Sequence, residues 1–281
     1  MAIGDSTRIN TNIAAYNALS ALKSINRNLE VSQLRLATGK RINEVADDPA
    51  GFTISKRLEA RARGISVAID NVGTAKNVLS VAEGGLTNIS DILVTIKEKV
   101  TQAASDTLGS AERTAIKTEI GQLTSEIDNI VTETTFNNKN LIDGTYTNIS
   151  YQTGEGTTNT MTINLTTNST ASGLGVTAAN VANRVLTATG ASFALDKVNT
   201  AIETITAALQ EVGAINARLS TKESTLGVAL TNTEATRSRI MDADIAAEQL
   251  NSTKWLILQQ TSTAQLAQAN ITPQNVLALF H

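Results

Sequence analysis

The sequence predicts a mainly α-helical fold, with long coiled-coil helices forming a bundle and one small β-hairpin region. Three observations predict it. Apolar residues recur at spacings alternating mostly between 4 and 3 along much of the chain, as a coiled-coil seam requires. Only 2 prolines occur in 281 residues, so long helices run without a break. Aromatics make up 3% of the chain, leaving Ala, Leu, Ile and Val to do the packing, which suits thin helix-on-helix seams.

Each element follows in order. Ile9, Ile13 and Tyr16 open an apolar stripe at the first end. Asp48-Pro49 fits a helix N-cap followed by proline at the first helical position. From Ile65 onward a seam runs through Ile65, Ile69, Val72, Ala75, Leu79, Ala82, Leu86, Ile89, Leu93, Ile96, Val100 and Ala103. At 1.5 Å per residue this helix is ~57 Å long, with Gly84-Gly85 as a place for a bend. A second seam uses Ile116, Ile120, Leu123, Ile127 and Ile130.

Between residues 144 and 190 the period changes. Ile149, Tyr151 and Thr153 alternate with polar residues, GEGT intervenes, and Met161, Ile163 and Leu165 alternate again. Period-two runs around a Gly-rich turn predict one β-hairpin, and the following TTNSTASGLG reads as loop. A third seam runs through Leu195, Val198, Ile202, Ile205, Leu209 and Val212, then Leu219, Leu226 and Leu230. Asn216 and Glu223 stand at seam positions, where polar residues set register or mark a turn toward solvent. The chain closes with a helix carrying Trp255 in its seam, Pro273 as an interruption or kink, and Val276, Leu277, Leu279 and Phe280 crowding the end. Termini are ordinarily frayed and polar, so apolar stripes at both predict pairing with each other and with something outside the chain.

Composition narrows the function. A net charge of −3 argues against nucleic-acid binding and against strong self-repulsion. The chain has no cysteine, hence no disulfide, zinc-thiolate site or cysteine nucleophile. No 18-residue apolar run predicts membrane insertion, and the first residues lack the basic and apolar regions of a cleavable signal peptide. His281 is the only histidine, so no transition-metal site assembles around it. Asp47-Asp48 lacks EF-hand spacing and reads as capping. Asp242, Asp244 and Glu248 read as a solvated helix start. Gly39-Lys40 lacks the earlier glycine of a phosphate loop, and Arg41 stands where Ser or Thr would hold magnesium. Lys56, Arg57, Arg61 and Arg63 form a solvated basic face or a docking surface for an acidic neighbour. Asn148-Ile149-Ser150 and Asn168-Ser169-Thr170 match the N-glycosylation triplet, which a Thr/Asn-rich chain produces by chance. No catalytic constellation, cofactor site or metal site is expected, and an enzyme is the weakest reading.

The stretch ATGKRINEVADDPAGFTISKRLEARARGI and the ending SRIMDADIAAEQLNSTKWLILQQTSTAQLAQANITPQNVLALFH closely resemble bacterial flagellin. TTFNNKNL recurs between them in the family order, and INLTTNSTASGLG resembles the family's small hairpin region. The likeness covers roughly residues 1–143 and 190–281, as in a short flagellin without large outer variable domains. It implies an inner domain of residues 1–42 with 237–281, paired as helices in the assembled state and lining the filament channel. Residues 43–236 would form the bundle, with the hairpin region at 144–190. Ile9, Ile13, Tyr16, Trp255, Val276, Leu277, Leu279 and Phe280 would serve assembly, while Ile89, Leu93, Ile96, Ile120, Leu123, Ile127, Ile202, Ile205 and Leu209 hold the intrachain seam.

The resemblance further implies an extracellular subunit that self-assembles into a hollow motility filament. Its partners would be copies of itself, a flagellar export chaperone, the filament cap and the hook-junction proteins. Alternatives are the hook–filament junction protein and, less favoured, a signalling coiled coil. Flagellins recognised by the vertebrate innate immune receptor carry an Arg and a Leu where this chain has Thr95 and Lys99, although Glu98 and Glu119 match. Arginine anchors are common hot spots, so weak receptor recognition is expected.

Overall fold

The computed structural model describes the backbone of residues 11–277 and the side chains of residues 11–272. Ile9, Leu279 and Phe280 lie outside the described residues, as do the side chains of Val276 and Leu277. Five long helices carry the chain: α1 (Ile13–Thr38), α2 (Pro49–Ala103), α3 (Ser110–Glu133), α4 (Ala188–Met241) and α5 (Ile245–Leu277). Two short hairpins lie between α3 and α4: β1 (Thr135–Phe136) with β2 (Lys139–Asn140), and β3 (Tyr146–Gln152) with β4 (Thr160–Leu165). The fold is mainly helical, as the heptad spacing implies. The chain divides into two compact units, Met1–Ala60 with Asn232–His281 and Arg61–Thr231. These divisions fall inside α2 and α4, whereas the sequence reading drew its boundaries at 42 and 237.

The second unit has an extended core. Val72, Ala75, Leu79, Ala82, Ile89, Leu93, Ile96 and Val100 on α2 are fully buried, as are Ile120 and Ile127 on α3. Leu123 packs against this core while partly exposed, and the buried Thr124 lies beside it. On α4 the buried line runs Ala194, Val198, Ala201, Ile205, Ala208, Val212, Ile215 and Leu219. Leu195, Ile202 and Leu209 flank that line, half-buried. Small alanines at its centre let helix backbones approach, and the larger residues pack beside them.

Gly84-Gly85 does not break α2. A Cβ on Gly85 would stand 2.6 Å from Thr134 Oγ1 and 2.9 Å from its Cγ2, so this glycine admits the end of α3. Glu223 does not turn to solvent alone: its carboxylate accepts from Lys76 Nζ at 2.9 Å, linking α4 to α2. Asn216 Oδ1 is buried without a hydrogen-bond partner. Arg113 is a buried cation whose guanidinium donates to the carbonyls of Ala103, Ser105 and Leu108, satisfying the C-terminal end of α2 and the loop after it.

The larger hairpin pairs Ile149 with Ile163 and Tyr151 with Met161, the alternation read from sequence, with an irregularity between Tyr146 and Ile149. Thr153 falls just beyond β3 and is buried. The Tyr146 and Tyr151 hydroxyls meet at 2.6 Å, and burial, then that bond, push the Tyr151 phenol well above its usual range. TTNSTASGLG forms no regular element but is not a surface loop, because Ser169, Ala171 and Leu174 are buried, as is Val176 just after it. The β1–β2 hairpin was not anticipated. Asn137 and Asn138 turn it with φ of 49° and 60°, a pair of left-handed residues that suits the twist of a two-residue hairpin.

Threonine clothes the helices. Thr74, Thr87, Thr95, Thr101, Thr118, Thr200, Thr221 and Thr253 each donate their hydroxyl to the backbone carbonyl one turn earlier on an exposed face.

Candidate assembly interface

In the first unit α1 and α5 run antiparallel. Asn12 Nδ2 donates to the Ala269 carbonyl at 2.8 Å, and Gln259 Nε2 to Asn26 Oδ1 at 2.8 Å. The facing stripe of α1 holds Ala15, Ala18, Leu22, Ile25, Leu29, Ser32 and Leu36 at heptad spacing. That of α5 holds Glu248, Ser252, Trp255, Leu258, Ser262, Leu266 and Ala269. Trp255 is half-buried there, with Lys254 Nζ 5.3 Å from its ring centroid.

The joint beside this pair is built from motif residues. Gly39 ends α1 in the left-handed conformation at φ 68°, which only glycine adopts without strain. Its carbonyl accepts from Ala243 N at 2.9 Å, and Arg41 Nη2 donates to the Ile240 carbonyl at 2.9 Å. Asp48 caps α2 by accepting from Gly51 N at 2.9 Å. A Cβ on Gly51 would lie 2.5 Å from Asp48 Oδ2 and 2.8 Å from buried Ile42, which accounts for the glycine in DDPAG. Asp47 Oδ2 accepts from Asn43 N at 2.9 Å and Glu44 N at 3.2 Å, and these bonds hold its carboxyl below the ordinary range. Asp244 Oδ1 caps α5 by accepting from Ala246 N and Ala247 N, while Glu248, one turn on, is buried rather than solvated.

What this unit lacks is a core. Among its described residues only Leu29 and Ile42 are buried hydrophobics. Its large apolar side chains instead face outward: Ile13, Tyr16, Leu19, Val31 and Leu34 on α1, and Ile245, Leu250, Leu256, Ile257 and Ile271 on α5. Tyr16 is 77% exposed and Leu250 is 74% exposed. Exposed apolar side chains this large make these faces a candidate docking surface. Of the residues assigned to assembly, Ile13 and Tyr16 sit on this outer surface and Trp255 in the α1–α5 seam. The sequence reading missed Leu19, Leu34, Leu250 and Ile257. Their signal was a second apolar face, out of phase with the heptad.

Elsewhere the basic run is partly paired: Lys56 reaches Glu59 at 2.9 Å and Arg61 reaches Glu155 at 2.8 Å. Lys99 Nζ meets Glu119 Oε1 at 2.6 Å, the Thr95 hydroxyl bonds back to Asp91, and Glu98 is exposed. Among the described residues no group of three or more His, Cys, Asp or Glu is placed to hold a metal ion. None of the described helices is long and apolar enough to cross a membrane.

The family model of the bacterial flagellin N-terminal helical region matches residues 9–147, and that of the C-terminal helical region matches residues 195–280. Flagellin of Bacillus subtilis (strain 168) is 34% identical over 97% of this chain and 99% of that protein. The flagellar filament 33 kDa core protein of Treponema phagedenis is 32% identical over 97% of this chain and 99% of that protein. A solved flagellar hook-associated protein from Vibrio parahaemolyticus shares the fold with TM-score 0.60 at 16% identity, covering 70% of this chain and all of that one. With its matched terminal regions and relatives aligned over nearly their whole length, the chain belongs to the bacterial flagellin family.

Proposed function

We propose that this chain is the structural subunit of a bacterial flagellar filament, joining copies of itself through its terminal helices into a hollow helical polymer used for motility. The observation that carries this reading is the exposed apolar surface of α1 and α5, on a unit with two buried hydrophobics among its described residues. Ordering two long helices costs much of what so thin a seam returns, so a large share of their stability comes from neighbours. Contacts between unlike surfaces of identical copies propagate as an open helix when the rotation between copies does not close into a ring. Membership in a family with filament core proteins supports the same conclusion.

On this reading residues 1–42 with 237–281 line the channel, residues 43–236 form a helical bundle carrying the hairpin region, and the function is mechanical rather than catalytic. Ile9, Val276, Leu277, Leu279 and Phe280, whose side chains lie outside the described ones, are assigned to assembly by the family resemblance alone. The filament is extracellular, reached through the flagellar export apparatus, and the further partners are an export chaperone, the filament cap and the hook-junction proteins. Purified monomer should polymerise above a threshold concentration, faster when seeded with sheared filaments, giving tubes with a central channel by electron microscopy. A soluble helical dimer at every concentration would overturn the reading.

Recognition by the vertebrate innate immune receptor is weak on the same reasoning. The surface offers Thr95 and a Lys99 already paired with Glu119, without the arginine anchor expected of a recognised flagellin. A robust reporter-cell response to nanomolar monomer would refute it.

A further inference from the structure

Pro273 lies inside α5, which continues to Leu277, so the interruption expected from sequence does not occur. A proline within a helix has no N–H for the carbonyl four residues earlier. Here that carbonyl belongs to Ala269. It is not left unpaired: Asn12 Nδ2, from the opposite end of the chain, donates to it at 2.8 Å. The other half of the same amide is also used, since Asn12 Oδ1 accepts from Ala15 N at 3.0 Å and caps α1. One side chain thus satisfies an orphan donor at the start of α1 and an orphan acceptor near the end of α5.

We infer that Asn12 and Pro273 form a register latch for the terminal helix pair. Part of the seam specifies register weakly: Ala15, Ala18, Ser32, Ser252, Ser262 and Ala269 are small and tolerate a slip of one turn. That leaves the larger seam residues, the Asn26–Gln259 bond and Asn12 to set the alignment. A slip would move Asn12 away from Ala269 and leave that carbonyl without a donor, since residue 273 cannot supply one. Pro273 therefore acts by creating a demand that one alignment meets. Misaligned pairs would present Tyr16 and Leu250 at the wrong height to a neighbouring copy, so the latch bears on assembly as well as on the single chain. This second consequence rests on the filament reading; the latch itself does not.

A double-mutant cycle tests it. Asn12→Asp keeps an acceptor for the α1 cap and loses the donor to Ala269. Pro273→Ala restores an N–H to residue 273, so Ala269 no longer depends on Asn12. In the full-length chain, Asn12→Asp alone should raise the critical concentration for seeded polymerisation about tenfold, the effect of leaving one half-buried acceptor unmet. In the Pro273→Ala background the same change should cost no more than about twofold. Equal effects in both backgrounds would overturn the latch. The same four proteins, compared by amide hydrogen exchange over residues 12–22 and 262–272, read the coupling without polymerisation. If the wild type forms no filament, the filament reading falls, and coupled or additive exchange still decides the latch. Wild-type segments exchanging at random-coil rates in every state would overturn it too.

Discussion

The two units are built from the same material, heptad helices of Ala, Leu, Ile and Val, yet they solve different problems. In Arg61–Thr231 the seams of α2, α3 and α4 converge on fully buried residues such as Leu93, Ile120 and Ile205, and the hairpin adds Ile163. In the other unit α1 meets α5 along one thin stripe, and side chains of the same size face outward. Periodicity is therefore not sufficiency. A seam closed on three helices makes a domain, while a seam closed on two leaves large apolar side chains exposed.

Substitutions can break or sharpen that contrast. Leu250→Asp carries the largest expected effect and the most one-sided. Leu250 is 74% exposed, so the monomer's unfolding should shift by no more than about 0.5 kcal/mol, whereas assembly should be lost because a carboxylate would enter an apolar contact. Filament growth at the wild-type rate would erase the distinction between the units. Leu93→Ala inverts the pattern. It empties a fully buried site and should cost about 2–5 kcal/mol in monomer unfolding measured by urea titration.

Adjacent glycines give a subtler probe of the closed unit. Gly85→Ala pushes a methyl against Thr134, whose hydroxyl is held by the Ile130 carbonyl, and should destabilise the monomer by about 1–3 kcal/mol. Gly84→Ala meets nothing within 4 Å and should stabilise α2 by up to about 1 kcal/mol. Matching signs for the pair, read from thermal melts, would refute the close approach of α3.

The smallest effect belongs to the joint of the open unit. Asp47 titrates below its ordinary 3.8 because the Asn43 and Glu44 amides bind its charged form. A lowered folded value means that the contribution is complete above the unfolded carboxylate value and disappears as pH falls through the folded one. Asp47→Asn should therefore flatten the acid-induced loosening of residues 39–48, seen by amide exchange below about pH 4. An unchanged acid profile would remove Asp47 from the joint.

Much of this was legible in the residues, and the failures have causes. The α2 seam was read residue by residue because large side chains occupy it. On α4 the buried line runs through Ala194, Ala201 and Ala208, and alanine gives a period-based reading little to hold, so Leu195, Ile202 and Leu209 took the centre when they belong at the flank. The first unit hid its outer surface for the opposite reason. Apolar residues all round α5 leave no phase to read, and Leu250 looks like Leu266 until a partner helix is in place. Asn137-Asn138 carried the hairpin in a turn signature weaker than Asn-Gly. The buried residues between 169 and 185 follow turns rather than any period. Pro273 was read as a break because its missing donor was visible and the compensating amide, on Asn12, lay 261 positions away.

The threonine cladding of the helices has a consequence for where such a polymer can work. A hydroxyl already bonded to its own backbone asks little of water or of a neighbour, and it carries no charge. With charged residues at 17% of the chain, few long-range pairs exist for dissolved ions to screen. A helix surface clad this way offers water a neutral, internally bonded layer, whose interaction with the medium changes little between brackish and fresh surroundings.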